Sequence, residues 1–223
     1  MTSDRRLELS IPEHVADGAN ELLGKAGLKL GVPYIVVAPG RDGILSQYDP
    51  NHFASVAHIL AGQVEQQLVV VGSSSEARTM QPIMQVAKEN LYGNVYSLVE
   101  KTSLPEVAAI IQRASLTISN HSVNMHFADA FGCPMVILYP ETETVSQWVP
   151  RNASARLLGR PASCSSCDRA NCQYGINCPT IRPEEVAIAA LELLSQQTYN
   201  QTDYKGILGY RFESEKNEQS SAR

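Results

Sequence analysis

Asn120-His121-Ser122-Val123-Asn124-Met125-His126 is a polar turn set between two apolar runs, Leu116–Ser119 before it and Met135–Tyr139 after it. The runs read as buried strands, and a brief helix opens at Val123 or Asn124. A turn feeding a helix N-terminus leaves several backbone N–H groups without intrahelical partners, aimed at one spot beside the positive end of the helix dipole. Phosphates bind at such places. The alternative is a simple helix cap, with Ser119, Asn120 or Ser122 holding only backbone. His126, one turn into the helix, is either a hydrogen-bond donor near a phosphate or sugar, or a capping or core-edge histidine. His121 is a loop residue that could supply a cation at mildly acidic pH.

A second cluster is made of thiols. Cys164-Ser165-Ser166-Cys167 is followed by Cys172 and Cys178, in a loop rich in Ser, Gly and Asn. Two residues between ligands let both sulfurs reach one tetrahedral ion, so a structural zinc on Cys164, Cys167, Cys172 and Cys178 is one reading. Reduced thiols that pin the loop without metal are the other. Redox catalysis fits less well, because the motif does not open a helix after a strand. Cys133 belongs to the core.

The elements that must carry these groups alternate between two periods. Tyr34–Ala38, Leu68–Val71, Val95–Leu98, Leu116–Ser119 and Met135–Tyr139 are short apolar runs. Between them fall helical patterns: Phe53, Val56, Ala57 and Leu60; a helix from about Glu76 to Asn90; and Leu104, Val107, Ala108 and Ile111. Pro105 stands in the first turn of the last of these. A further helix begins near Pro183, and Glu13 to Ala26 is helical in pattern. Strands apolar throughout are buried on both faces, and alternation with helices implies right-handed crossovers and a parallel sheet. The predicted fold is a three-layer α/β Rossmann-like sandwich, with ligands outside the carboxyl ends of its strands. No GxGxxG follows the first strand, so dinucleotide binding is not supported. His14, His52 and His58 read as solvated helix positions.

Three regions are expected. Residues 1–31 are a linker and lead helix, 32–198 the Rossmann-like domain, and 199–223 a polar, partly disordered tail. The formal net charge is −5 and only 18% of residues are charged. Scattered Lys and Arg on an acidic chain exclude a nucleic-acid partner. No apolar run reaches the length of a bilayer-spanning helix, and the first residues lead into no signal core. A cytoplasmic address with reduced cysteines follows.

With these loops in order, residues 34–195 resemble the C-terminal domain of the glycosyltransferase family 9 enzymes, a heptosyltransferase-like group of lipopolysaccharide synthesis. Ala38-Pro39-Gly40, running on to Arg41, resembles the family's first phosphate-side loop. Val70-Val71-Gly72 with Glu76 resembles its second, where an acidic residue holds the donor ribose. Lys101-Thr102-Ser103-Leu104 resembles the segment against the nucleobase. Ser119 to His126, with Ala128–Gly132, Pro134 and Tyr139–Thr142, resembles the diphosphate turn and the loop after it. The resemblance implies one half of a two-domain GT-B glycosyltransferase, the half that binds a nucleotide-diphosphate sugar such as ADP-heptose. It also implies direct displacement with inversion, no cofactor for transfer, and a base from the other domain. That domain would be missing here, making the chain a fragment, a split subunit or a protein reduced to one half. Its partners would be the donor and an acceptor-domain chain, at the inner face of the inner membrane with at most peripheral association.

The departures from the pattern support a rival. The first loop, Arg41 to Pro50, has no Lys, His121-Ser122-Val123 stands for Asp-Ser-Gly, and Pro140-Glu141-Thr142 stands for Gly-Pro-Thr. A Cβ at Val123 restricts backbone and phosphate approach, and a carboxylate at Glu141 opposes a diphosphate by about 1 kcal/mol or more. A degenerate, non-catalytic binding or assembly module of the same fold is therefore the alternative. An unrelated nucleotide-sugar enzyme such as an epimerase is a third.

Overall fold

The computed structural model describes residues 7–29, 31–40, 48–139, 149–159 and 181–197. Six strands form one sheet: β1 (Tyr34–Ala38), β2 (Gln67–Val70), β3 (Val95–Ser97), β4 (Leu116–Asn120), β5 (Met135–Leu138) and β6 (Ala155–Leu158). Their spatial order is β3-β2-β1-β4-β5-β6, and every pairing is parallel. The helices are α1 (Glu13–Lys25), α2 (Pro50–Ala61), α3 (Gln81–Glu89), α4 (Leu104–Gln112), α5 (Val123–Ala130) and α6 over 183–197. This is the expected Rossmann-like α/β architecture.

Burial follows from the composition of the strands. All residues of β1, β2, β4 and β5 are buried, so each successive side chain must find a helix on its own face. Ile35, Val37, Leu68, Val70, Leu116, Ile118, Val136 and Leu138 share one core with Phe53 and Leu60 of α2, Ile83 of α3, and Val186 and Leu193 of α6. Val36, Val69, Met135 and Ile137 share the other with Leu23 of α1, Ile110 and Ile111 of α4, and Met125 and Ala128 of α5. The lead helix is thus packed into the domain. Arg113, at the end of α4, reaches α1 by donating from Nη1 to Asn20 Oδ1 at 2.8 Å.

Three sequence expectations change. The helix after β2 starts at Gln81 instead of near Glu76, and 74–80 is a run of turns. Pro82 fits this start: it lacks an N–H and has a fixed φ, so it suits the first turn of a helix, where its missing N–H breaks no intrahelical bond. A strand that the apolar pattern did not disclose, β6, closes the sheet beyond β5; its Ala-Arg-Leu-Leu is only half-buried. His52 is not a solvated position, since its Nδ1 is buried.

Ser103 caps α4 through a full capping box. The Ser103 N–H and Oγ donate to Glu106 Oε2 at 2.7 and 2.6 Å, and these hydrogen bonds, the hydroxyl's first, hold the Glu106 carboxyl below its usual range. Ser103→Ala is expected to lower stability by about 1 kcal/mol, read as a shifted denaturant midpoint at unchanged m-value.

Candidate functional site

The strand order reverses between β1 and β4, and such a switch point opens a crevice at the carboxyl ends of the strands. Ala38 lies abreast of Ser119 in the register. Pro39-Gly40 and Asn120-His121 therefore leave the sheet side by side, and Gly72 leaves it from β2 next door.

Glu76 reaches this crevice from the turn after β2. Its Oε2 accepts from the Ser73 N–H at 2.8 Å and the Ser73 hydroxyl at 2.7 Å. The carboxylate lies hard against Gly40, where an added Cβ would overlap it, while a Cβ at Gly72 would overlap the Met80 thioether. Both loops thus depend on glycine for close approach rather than for a special φ. Glu100, three residues beyond β3, has a left-handed backbone with φ 65, and its N–H donates to the Gly72 carbonyl at 3.0 Å. That contact ties the β2 and β3 loops together at the strained residue. Thr102 follows, with a buried Oγ1 that has no hydrogen-bond partner.

On the β4 side the polar residues divide their work. Asn120 is fully buried. Its Nδ2 donates to the Pro39 carbonyl, and its Oδ1 accepts from the Tyr48 N–H at 3.1 Å. The amide thus spans from the end of β1 to the approach of α2. Ser122 is the N-cap of α5, with extended backbone and a hydroxyl that accepts from the Asn124 N–H at 3.4 Å; Asn124 Nδ2 donates to the same hydroxyl. Val123 is the first helical residue and 43% exposed. Its φ is not positive, so the backbone there needs no glycine, and its Cβ affects access alone.

His121 stacks on Tyr139 with ring centroids 4.8 Å apart and planes 23° apart. His126 stands edge-on to His121 at 6.5 Å. Burial, and then the nearby His121, push the His126 imidazole below its ordinary 6.5, while Asp129 pulls it back up. Burial also pushes the Cys133 thiol up to about 11, in keeping with an inert core cysteine.

The structure thus brings together Pro39, Gly40, Gly72, Glu76, Asn120, His121, Ser122, Val123, Asn124 and His126, with Thr102 beyond the β3 loop. Arg41, Glu141, Cys164, Cys167, Cys172 and Cys178 lie outside the described residues. Among those described, no group of three or more His, Cys, Asp or Glu is placed to hold a metal. No helix among them is long and apolar enough to cross a membrane.

The family model of glycosyltransferase family 9 (heptosyltransferase) matches residues 6–176. This chain belongs to that family. It is similar to lipooligosaccharide heptosyltransferase 2 of Haemophilus influenzae, 29% identical over 111 residues that make up 49% of this chain and 32% of that protein. Among solved structures, the ADP-heptose lipopolysaccharide heptosyltransferase II of E. coli shares the fold with a TM-score of 0.68 at 21% identity, over 86% of this chain and 54% of that one. The family 9 glycosyltransferase of Veillonella parvula does so with 0.69 at 23%, over 87% and 56%. The chain therefore spans about half the length of the solved relatives, and its sheet is one Rossmann-like half of the family's GT-B architecture.

Two features of this family 9 domain were not read from the sequence. Tyr48 and His52 pack their rings 5.2 Å apart at the start of α2, and Tyr48 Oη and His52 Nδ1 are both buried without hydrogen-bond partners. Burial, and then Glu184, Glu185 and Asp49, raise the Tyr48 hydroxyl well above its usual range. The other feature is Asp129, whose carboxylate collects three backbone N–H groups from 151–153. A Tyr in an Asp-Pro turn and an acidic residue late in a helix carry no local pattern that could have marked either.

Proposed function

We propose that this chain binds the donor in a family 9 glycosyltransferase of lipopolysaccharide or surface-glycan synthesis, and that the donor is a nucleotide-diphosphate sugar of the ADP-heptose kind. The observation that carries the reading is Glu76, an oriented carboxylate pressed against Gly40 at the switch point, across from the N-terminus of α5. A carboxylate there accepts hydrogen bonds from ribose hydroxyls. The first-turn N–H groups of α5 and the two histidines beside them receive the diphosphate. The base lies along the β3 loop, where the buried Thr102 hydroxyl offers a donor and an acceptor. Transfer to an acceptor, with inversion and a base from a second domain, belongs to the same reading.

A non-catalytic binding or assembly module is the second reading, favoured by one observation: Asn120 and Ser122 both hold backbone. Titration of the protein with ADP and an ADP-sugar, followed by NMR or calorimetry, separates the two. Binding that perturbs Glu76, Thr102 and the Ser122–His126 turn is expected. Silence of these residues up to millimolar ligand rejects the donor-binding reading in favour of the module.

A further inference from the structure

The amino ends of the strands, opposite the crevice, hold a cavity of about 780 Å³, a size within the range of small-molecule sites. Its floor is Leu23 of α1, then Leu28, Val32 and Tyr34 on the way into β1. Leu23, Leu28 and Tyr34 are buried. Two cations, Lys29 and Arg113, also line it, and no Asp or Glu does among the described residues. This local excess of positive charge runs against the net charge of −5 on the chain.

The polar groups of the wall bond to one another, and the cations stay open. The Ser115 hydroxyl donates to Gln66 Oε1 at 2.7 Å, and the Ser115 carbonyl accepts from Gln197 Nε2 at 2.7 Å. Lys29 is held through its backbone, its N–H donating to Gln67 Oε1 at 2.7 Å and its carbonyl accepting from Gln67 Nε2 at 3.0 Å. The Lys29 ammonium meets no hydrogen-bond or ion-pair partner among the described residues. Arg113 spends Nη1 on Asn20, and the rest of its guanidinium fork is open among the described residues. The carboxyl ends of α1, α4 and α6 also reach the cavity, each worth about half a negative charge. Several of their carbonyls are already met: Leu22, Leu23 and Gly24 accept from Ala26, Leu28 and Gly27, and Ile110 accepts from the Tyr34 hydroxyl. Two whole cations outweigh what is left.

We propose that this cavity binds a small amphiphilic anion, a molecule with one acidic group on an apolar or aromatic body. The acidic group is met by Lys29 and Arg113, and the body lies on Leu23, Leu28, Val32 and Tyr34. An arginine fork pairs two oxygens of a carboxylate, sulfonate or phosphate at once, and the lysine adds a point charge. The apolar body leaves water for the floor, which supplies affinity that a free inorganic anion would lack. The site lies at the far end of the sheet from the donor crevice, so it stands or falls independently of the donor-binding reading.

Anilinonaphthalene sulfonate has this chemistry and fluoresces on leaving water; phenylnaphthylamine has the same aromatic body without the sulfonate. Titration of the full chain with the sulfonate dye should show saturable binding, with amide NMR shifts at Leu28, Val32, Ala114 and Ser115. Arg113→Gln and Lys29→Gln should each weaken it about threefold, as expected for one exposed ion pair, and leave the neutral dye unchanged. Both residues are exposed, and a denaturant melt checks that the variants remain folded. ADP-ribose, a probe of the crevice, should not displace the dye. Displacement by ADP-ribose, or shifts confined to Glu76 and the Ser122–His126 turn, would place the dye in the crevice and overturn the proposal. Equal affinity for both dyes, unmoved by either substitution, overturns it too, because charge then plays no part. So does the absence of saturable binding up to millimolar dye.

Discussion

Asp129→Ala is expected to lower folding stability by about 3–4 kcal/mol, and to free the segment before β6 first. Asp129 is only 4% exposed. Its Oδ1 accepts from the N–H groups of Arg151, Asn152 and Ala153 at 2.8, 2.7 and 3.1 Å. A single hydrogen bond to a charged group contributes roughly 1.5–3 kcal/mol net. The sum is not reached, because 151–153 are only partly buried and water can replace some of what is lost. The consequence runs along the chain: the Ser154 carbonyl accepts from the Met135 N–H at 2.9 Å, and β6 then pairs with β5 from Ala155 onward. An edge strand with half-buried side chains has little else to fix its register. Asp129→Asn keeps an acceptor oxygen and loses the charge, so about 1–2 kcal/mol is expected for it. Denaturant melts supply the magnitudes, and hydrogen exchange should show β6 losing protection before β1 or β4. Equal melts for wild type and Asp129→Ala would reject the tether.

The contrast between Asp129 and the strands shows what was legible in the residues. Tyr34–Ala38 and Leu116–Asn120 are buried from end to end, so their composition alone disclosed a covered parallel sheet. Strand β6 shows no such run, because Arg156 points out to Glu192 of α6 at 3.5 Å. The start of α3 was misplaced for a related reason. Ala77 and Met80 are buried at helical spacing, yet the backbone there is a run of turns that gives way to helix only at Gln81. At the site, the residue types were legible and their tasks were not. An Asn or Ser in a turn looks the same whether it faces a ligand or a backbone group. Asn120 is committed by partners 81 and 72 residues away, and Asp129 by partners 22 to 24 residues away. Such tasks are set by the crossover topology, which brings distant backbone to the side chain. The buried Tyr48 hydroxyl and His52 imidazole belong to the same class.

Gly40→Ala should weaken binding of an ADP-sugar or ADP-ribose about 10- to 100-fold with little change in stability, although residue 40 itself carries no functional group. A methyl group at this position overlaps the Glu76 carboxylate. The strand end is pinned on that side, since the Pro39 carbonyl is held by Asn120 and Ala38 lies in register with Ser119. The carboxylate is the part that can move, because its holds are the N–H and hydroxyl of the exposed Ser73. Displaced from Gly40, it leaves the place where the donor-binding proposal sets the ribose hydroxyls. Hydrogen bonds to a charged group contribute roughly 1.5–3 kcal/mol, which corresponds to that loss of affinity. Glu76→Ala removes the same interaction by a different route. The two substitutions should therefore be non-additive: in the Glu76→Ala background, Gly40→Ala has nothing left to displace and should change affinity by less than about twofold. Full additivity would show that Gly40 acts on the ligand directly, through its own backbone, and would remove Glu76 from the ribose contact.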